Sequence, residues 1–472
     1  MGKLEQEQAY SAPVNRNDSD DHHDSLPAYN QHAETSPDQA TPSTSAIQLN
    51  EHVFDLRDEK TGRPWAKLKV KSLARSLTSL PIFSAGDDIV GSIELDLKDS
   101  TTFHSVSIRV LGDVINPQNR VWKDSENAFT SDSPFLDQSQ VLWNKKDGVP
   151  PTNTSGEKAK GKWKGQYSFP FRIKLPLTVD VLTAPNITET FPVPSHFVER
   201  RAEISLNYTL TANLSYGLFR NIAAISKNFG VIPAQQPPEP SPLRRIAYSE
   251  GTKPPGPDAD PDGWFTLAPA KIPGKLFHTE DAEVTATLSI AKPLVYSRGT
   301  QIPVYLILES PSKQALDLVA NPESIQITLT RIVNAGFEAR KKTDMAMGPQ
   351  TMAQCQSMAV FWHPTTREAT GPQDDNRRVF EGEIKIKPDQ TPSTTFWHLV
   401  IRYHVFILQF KAAGWVPQSG SSMIADQRVE IVVRHAKGQR PPSNVPEGAV
   451  EPPFADIKEW GNLSAFWVQV DV

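Results

Sequence analysis

Beyond residue 50 the chain alternates apolar and polar residues with a period of two. The clearest run is 203–212, where Ile204, Leu206, Tyr208, Leu210 and Ala212 share one face and Ser205, Asn207, Thr209 and Thr211 the other. Similar alternation occupies Ile89, Ile93, Leu95 and Leu97, then Val106, Ile108 and Val110. It resumes at Val284–Ile290, Ile325–Leu329, Phe380–Ile386 and Val429–Val433. Successive side chains of a strand point to opposite faces, so these runs predict half-buried strands. No long stretch repeats at the helical period. Many short strands separated by turn residues, without alternating helices, predict antiparallel packing. The expected fold class is all-β: two tandem antiparallel immunoglobulin-like β-sandwiches between a disordered N-terminal arm and a C-terminal tail.

Where the alternation lapses, composition takes over. Residues 1–48 are rich in Asp, Ser, Gln, Pro and His, and bury too little apolar surface to offset ordering entropy. A first β unit is expected over 49–232, interrupted by a polar surface loop at about 115–165. A proline-rich linker spans 233–275, a second β unit 276–436 and a tail 437–472. The chain holds 41 prolines in 472 residues, above the usual share of about 5%, and they concentrate in these joining segments.

A net charge of −5 lacks the basic excess of a dedicated nucleic-acid binder, so no nucleic-acid partner is expected. The single cysteine, Cys355, rules out an internal disulfide framework and points to a reducing compartment. The start MGKLEQEQAY has no apolar h-region and no run of 18 apolar residues occurs, so a cytoplasmic chain is expected.

Four pieces then become recognisable together: Ile82-Phe-Ser-Ala-Gly-Asp-Asp-Ile-Val-Gly-Ser-Ile-Glu-Leu95, Val106-Ser-Ile-Arg-Val-Leu-Gly112, Tyr167-Ser-Phe-Pro-Phe-Arg-Ile-Lys-Leu-Pro176, and Ile204–Ala212 leading to Gly217-Leu-Phe-Arg220. Their order resembles the arrestin N-terminal domain. The stretch Val295-Tyr-Ser-Arg-Gly-Thr-Gln-Ile-Pro-Val304 is similar to the opening of the arrestin C-terminal domain. The resemblance covers about 50–436 and is most like the fungal α-arrestins, the arrestin-related trafficking adaptors.

The arm contains Leu26-Pro27-Ala28-Tyr29. Pro27 presets an extended backbone and Tyr29 offers a large ring, the two features a WW-domain groove accepts. The resemblance implies that Leu26, Pro27 and Tyr29 recruit a WW-domain HECT-type ubiquitin ligase. The family's usual Pro-Pro-x-Tyr in the C-terminal tail is missing here, since Pro452-Pro-Phe-Ala455 lacks the tyrosine. Two basic features are candidates for cargo or anionic-lipid binding. Lys67, Lys69 and Lys71 recur on one strand face, and Lys160, Lys162 and Lys164 surround Trp163. A solvated strand face would give the same pattern. Asp20–Asp24 with its two histidines lies in the flexible arm, and Asp258-Ala-Asp260-Pro-Asp262-Gly263 lacks the terminal bidentate acid of a calcium loop. Neither is expected to hold a metal, and no cofactor is expected. No nucleophile elbow, phosphate-binding loop or zinc-protease motif occurs.

The expected function is a non-enzymatic adaptor. It would link the cytoplasmic regions of membrane transporters or receptors to the ligase, from a cytoplasmic pool recruited to plasma membrane or endosomes. The alternatives are an arrestin-fold sorting scaffold without ligase binding and a sugar-binding β-sandwich.

Overall fold

A computed structural model describes residues 49–450 except 75, 116–132, 160, 200–201, 203, 337–338, 341–350, 365–374, 419–422 and 437–440. The first half consists of β1 (Asn50–Arg57), β2 (Pro64–Ser72), β3 (Ile82–Ser84), β4 (Asp88–Thr101), β5 (Phe103–Ile115), β6 (Ser133–Asn144), β7 (Trp163–Lys174), β8 (Thr178–Ala184), β9 (Ile187–Pro192), β10 (Ser205–Tyr216), β11 (Asn221–Asn228) and β12 (Gly230–Ile232). Its two main sheets run β1-β2-β4-β7 and β11-β10-β5-β6, all antiparallel. Their inward residues, among them Leu68, Ile93, Val110 and Tyr208, are fully buried in one core. The alternation read from 203–212 is the observed burial alternation of β10.

The second half follows with α1 (Pro242–Glu250), β13 (Trp264–Thr266), β14 (Ala270–Leu276), β15 (Glu280–Ala291), β16 (Val295–Ser297), β17 (Gln301–Glu309), α2 (Lys313–Val319), β18 (Ile327–Ala335), β19 (Thr351–Trp362), β20 (Arg377–Lys385), β21 (Thr394–Phe396), β22 (Leu399–Leu408), β23 (Trp415–Pro417) and β24 (Met423–Val432). One layer is β16-β24-β22-β18-β19 and the other β19-β20-β17-β15-β14-β23. β19 joins them: its first part pairs with β18, and Ala359–Trp362 pair with β20. The fold is thus nearly all β, with antiparallel sheets in sandwich layers and two short helices.

The halves repeat a local device. Short β3 lies parallel to β12, which ends the first half, and short β16 lies parallel to β24. Each short strand runs into a left-handed glycine, Gly86 with φ 88° and Gly299 with φ 74°, a conformation L side chains rarely adopt. The Gly86 and Gly299 amides donate to Leu175 and Ile386, and the residues before them, Ala85 and Arg298, donate to Ile232 and Val432. The faint likeness at Val295–Val304 therefore has a counterpart in hydrogen bonding.

Two segments carry more structure than their composition suggests. β6 lies inside the stretch expected to be a long loop. Its pairing with β5 shifts register at Val106/Ser107 and Gly112/Asp113, which breaks the alternation a sequence reader looks for. Within 233–275 lie α1, a 3-10 turn at Pro261–Gly263, β13 and β14. The Ser241 hydroxyl accepts from the Arg244 amide and donates to Asp260, so the aspartate-rich turn helps to start the helix. In the tail, the described residues 441–450 are held to the second half: the Ser443 hydroxyl and the Asn444 amide donate to the Glu383 carboxylate at 2.7 and 2.9 Å.

The halves are packed together. Phe396 of β21 lies against Phe135 and Phe191, with ring centroids 5.0 and 5.4 Å apart. Arg340 pairs with Glu189 at 2.7 Å, Arg331 pairs with Glu199, and Arg434 donates to the Ala85 carbonyl at 3.2 Å.

Candidate functional site

The β2 lysines sit where the alternation places them. Ala66, Leu68 and Val70 are buried, while Lys67, Lys69 and Lys71 face outward. β2 is an interior strand between β1 and β4, so these lysines do not guard an edge. Residues directly opposite in antiparallel strands share a face. Lys67 stands opposite Asp55 on one side and Glu94 on the other, and Lys71 stands opposite Glu51. Lys69 bonds Glu94 at 2.8 Å, and that carboxylate holds the ammonium above its ordinary range. Arg57–Asp55 and Arg63–Asp96 add further pairs at 2.8 and 2.5 Å. The stripe lies on a sheet face of mixed charge, with an acid opposite Lys67 and Lys71 and an ion pair at Lys69.

The second lysine group lies at the end of the same sandwich, where several strands stop around an aromatic plug. Trp163, the first residue of β7, is 2% exposed. It stacks on Phe103 at 4.6 Å and meets Trp143 edge-on at 4.6 Å. Phe103 in turn contacts Tyr216, the last residue of β10, at 5.9 Å, and Trp65 contacts Tyr216 at 5.5 Å. Each ring sends its neighbours outward. Lys162 and Lys164 flank Trp163, Lys145 and Lys146 follow Trp143, and a hairpin turn, Gly217-Leu-Phe-Arg220, follows Tyr216. Lys160 lies outside the described residues.

That turn is the most exposed apolar feature of the described residues. Leu218 and Phe219 are each 91% exposed, and Ile222 at the start of β11 is 75% exposed. The turn is nevertheless anchored. The Gly217 amide donates to the Thr102 carbonyl at 2.7 Å, and the Gly217 carbonyl lies 2.7 Å from Nε2 of His104. Lys98, Lys145, Lys146, Lys162, Lys164 and Arg220 are all exposed and take part in none of the ion pairs among the described residues. The carboxylates at this end are Asp99, Asp147 and Glu157, with Asp58 and Glu59 on the β1–β2 turn beside Lys60. Cations therefore outnumber acids.

In the sequence Gly217–Arg220 stands only as a piece of the arrestin resemblance. Its surface meaning was legible in one respect: two adjacent large apolar residues occupy a turn between alternating strands, where polar residues are the rule.

A crevice of about 270 Å³ opens beside α1, walled by Pro237, Tyr248, Pro293, Tyr296 and Pro441. Arg244 lies behind it, 2% exposed, stacked 4.7 Å from the Trp264 ring centroid and donating through Nη1 to the Lys292 carbonyl at 3.1 Å. Its Nε and Nη2 have neither a protein partner nor accessible surface. This arginine locks α1 against β13 and the residue after β15, and the crevice presents apolar and tyrosine walls.

Leu26, Pro27 and Tyr29 lie outside the described residues, as does the Asp20–Asp24 run. No helix of the described residues is long and apolar enough to cross a membrane.

Residues 77–183 match the family model of the arrestin (or S-antigen) N-terminal domain. That span runs from just before β3 into β8 and includes Phe103, Trp143 and Trp163 of the aromatic plug, with Lys162 and Lys164. No curated protein matches the chain. The match covers 107 of the 472 residues and lies wholly within the first sandwich.

Proposed function

We propose that the chain is a non-enzymatic adaptor of the fungal α-arrestin type. In this reading it engages the cytoplasmic part of a membrane transporter or receptor and brings a WW-domain HECT-type ubiquitin ligase to it through Leu26, Pro27 and Tyr29. The observation that carries the reading is the arrestin N-terminal match within the first of two packed β-sandwiches. Four sequence pieces in family order and the repeated parallel strand device support it further.

The mechanism is proximity. Two sites on one chain turn the encounter of ligase and cargo lysine into an intramolecular event at raised effective concentration. Pro27 restricts the backbone of the short docking motif, which lowers the ordering cost of binding. Ubiquitinated cargo then enters endocytic trafficking.

The test is a pull-down of the full chain with isolated WW domains of HECT-type ligases. Wild type is retained, and Tyr29→Ala or Pro27→Ala lowers retention at least about tenfold, because Tyr29 supplies most of the buried area. Equal retention of the Tyr29→Ala chain would leave the ligase half of the reading without a mechanism.

A further inference from the structure

We infer that the strand end carrying Leu218, Phe219 and Arg220 is a membrane-docking wedge, in which the two apolar side chains enter the interface of an anionic bilayer and the surrounding lysines meet its headgroups. Docking of this kind needs neither the ligase motif nor a cargo protein, so it stands or falls separately from the proposed function.

The first ground is shape. Leu218 and Phe219 project from a hairpin tip and are almost fully exposed, and no fold contact accounts for them. A tip is convex. It offers too little continuous area for a stable protein interface, which typically takes about 800 Å² per partner, but a bilayer interface accepts a small protruding group. The tip is also set in advance: the hydrogen bonds of Gly217 to Thr102 and His104 hold it on the end of β5. Insertion therefore costs little ordering.

The second ground is charge complementarity. The aromatic plug ties the tip to the ends of β6 and β7, so Lys145, Lys146, Lys162 and Lys164 lie on the same end of the sandwich as Phe219. These cations, with Lys98 and Arg220, have no carboxylate partner among the described residues. Lysines are depleted from protein–protein interfaces but attracted to anionic leaflets, which favours a lipid surface as the occupant over a second protein. Their stems can lie along the interface while the ammonium groups reach phosphate. The β2 face has as regular a lysine pattern, but Glu51, Asp55 and Glu94 stand opposite or beside its lysines on the neighbouring strands and no apolar tip rises from it.

The experiment uses the full chain and vesicles of phosphatidylcholine with or without phosphatidylserine, read by co-sedimentation. Wild type binds the phosphatidylserine vesicles and not the neutral ones. Leu218→Ser with Phe219→Ser weakens binding on the order of 30-fold, and Lys162→Gln with Lys164→Gln weakens it roughly 20-fold. Lys67→Gln with Lys71→Gln leaves it unchanged.

Insertion itself is read with Leu218→Cys carrying an environment-sensitive fluorophore. Cys355 is buried, with its thiol pushed up to about 12, and stays unlabelled in the native protein. Phosphatidylserine vesicles are expected to shift the label's emission to that of an apolar setting. Unchanged binding by the double-serine variant would overturn the wedge. So would an unshifted label, or a concentration-dependent dimer that the double-serine variant abolishes, which would assign the tip to a second copy of the chain.

Discussion

Two lysine groups on one sandwich differ in a way their spacing does not reveal. Lys67, Lys69 and Lys71 recur regularly along β2, yet the strands on both sides supply Glu51, Asp55 and Glu94 in facing positions. Lys162 and Lys164 flank a single buried tryptophan at a strand end and join Lys145 and Lys146 across the Trp143–Trp163 contact, with no acid in a facing strand position among the described residues. A charge on a sheet interior is read against its cross-strand neighbours, whereas a charge at a strand end is read against whatever other strands stop nearby. Only the second arrangement leaves a field for a partner to meet.

The comparison can be broken first at the plug. Trp163→Ala removes the ring that ties Phe103, Trp143, Tyr167 and Phe169 together, and should cost about 3–5 kcal/mol in urea unfolding while abolishing vesicle binding. Full stability in that variant would mean that the strand ends are held otherwise. Charge reversal comes next. Lys162→Glu with Lys164→Glu should weaken binding to phosphatidylserine vesicles by more than about 100-fold, whereas the same reversal at Lys67 and Lys71 should change it less than about threefold. Equal effects at both pairs would erase the distinction.

A gain can be sought on the β2 face. Asp55→Asn with Glu94→Gln removes the carboxylates opposite Lys67 and beside Lys69, and vesicle affinity should rise by about fivefold. No gain would show that compensation is not what silences this stripe. The smallest effect is expected at Lys69→Gln. The Lys69–Glu94 pair is partly exposed, so its loss should cost less than about 1 kcal/mol in thermal unfolding.

These contrasts also mark what a reader of the chain alone can see. The alternation at 203–212 and around Lys67–Lys71 placed strands and their faces correctly, because period-two burial is local information. β6 escaped because two register shifts break its period, and α1 because the prolines around Ser241 hide an ordinary serine cap. The acidic company of the β2 lysines was out of reach without register: Asp55 and Glu94 lie 12 and 27 positions from Lys67 in the sequence and become its neighbours only through pairing. The exposed Leu218-Phe219 pair was visible as a string, but its company of lysines depends on rings drawn from four strands.

The central claim, an adaptor joining ligase to membrane cargo, is tested most directly by proximity labelling in cells that express the full chain, comparing wild type with Tyr29→Ala. Wild type should label a WW-domain HECT-type ligase together with transporters or receptors, and the variant should lose the ligase while keeping the membrane proteins. Unchanged ligase labelling in the variant, or membrane proteins absent from both, would contradict the account.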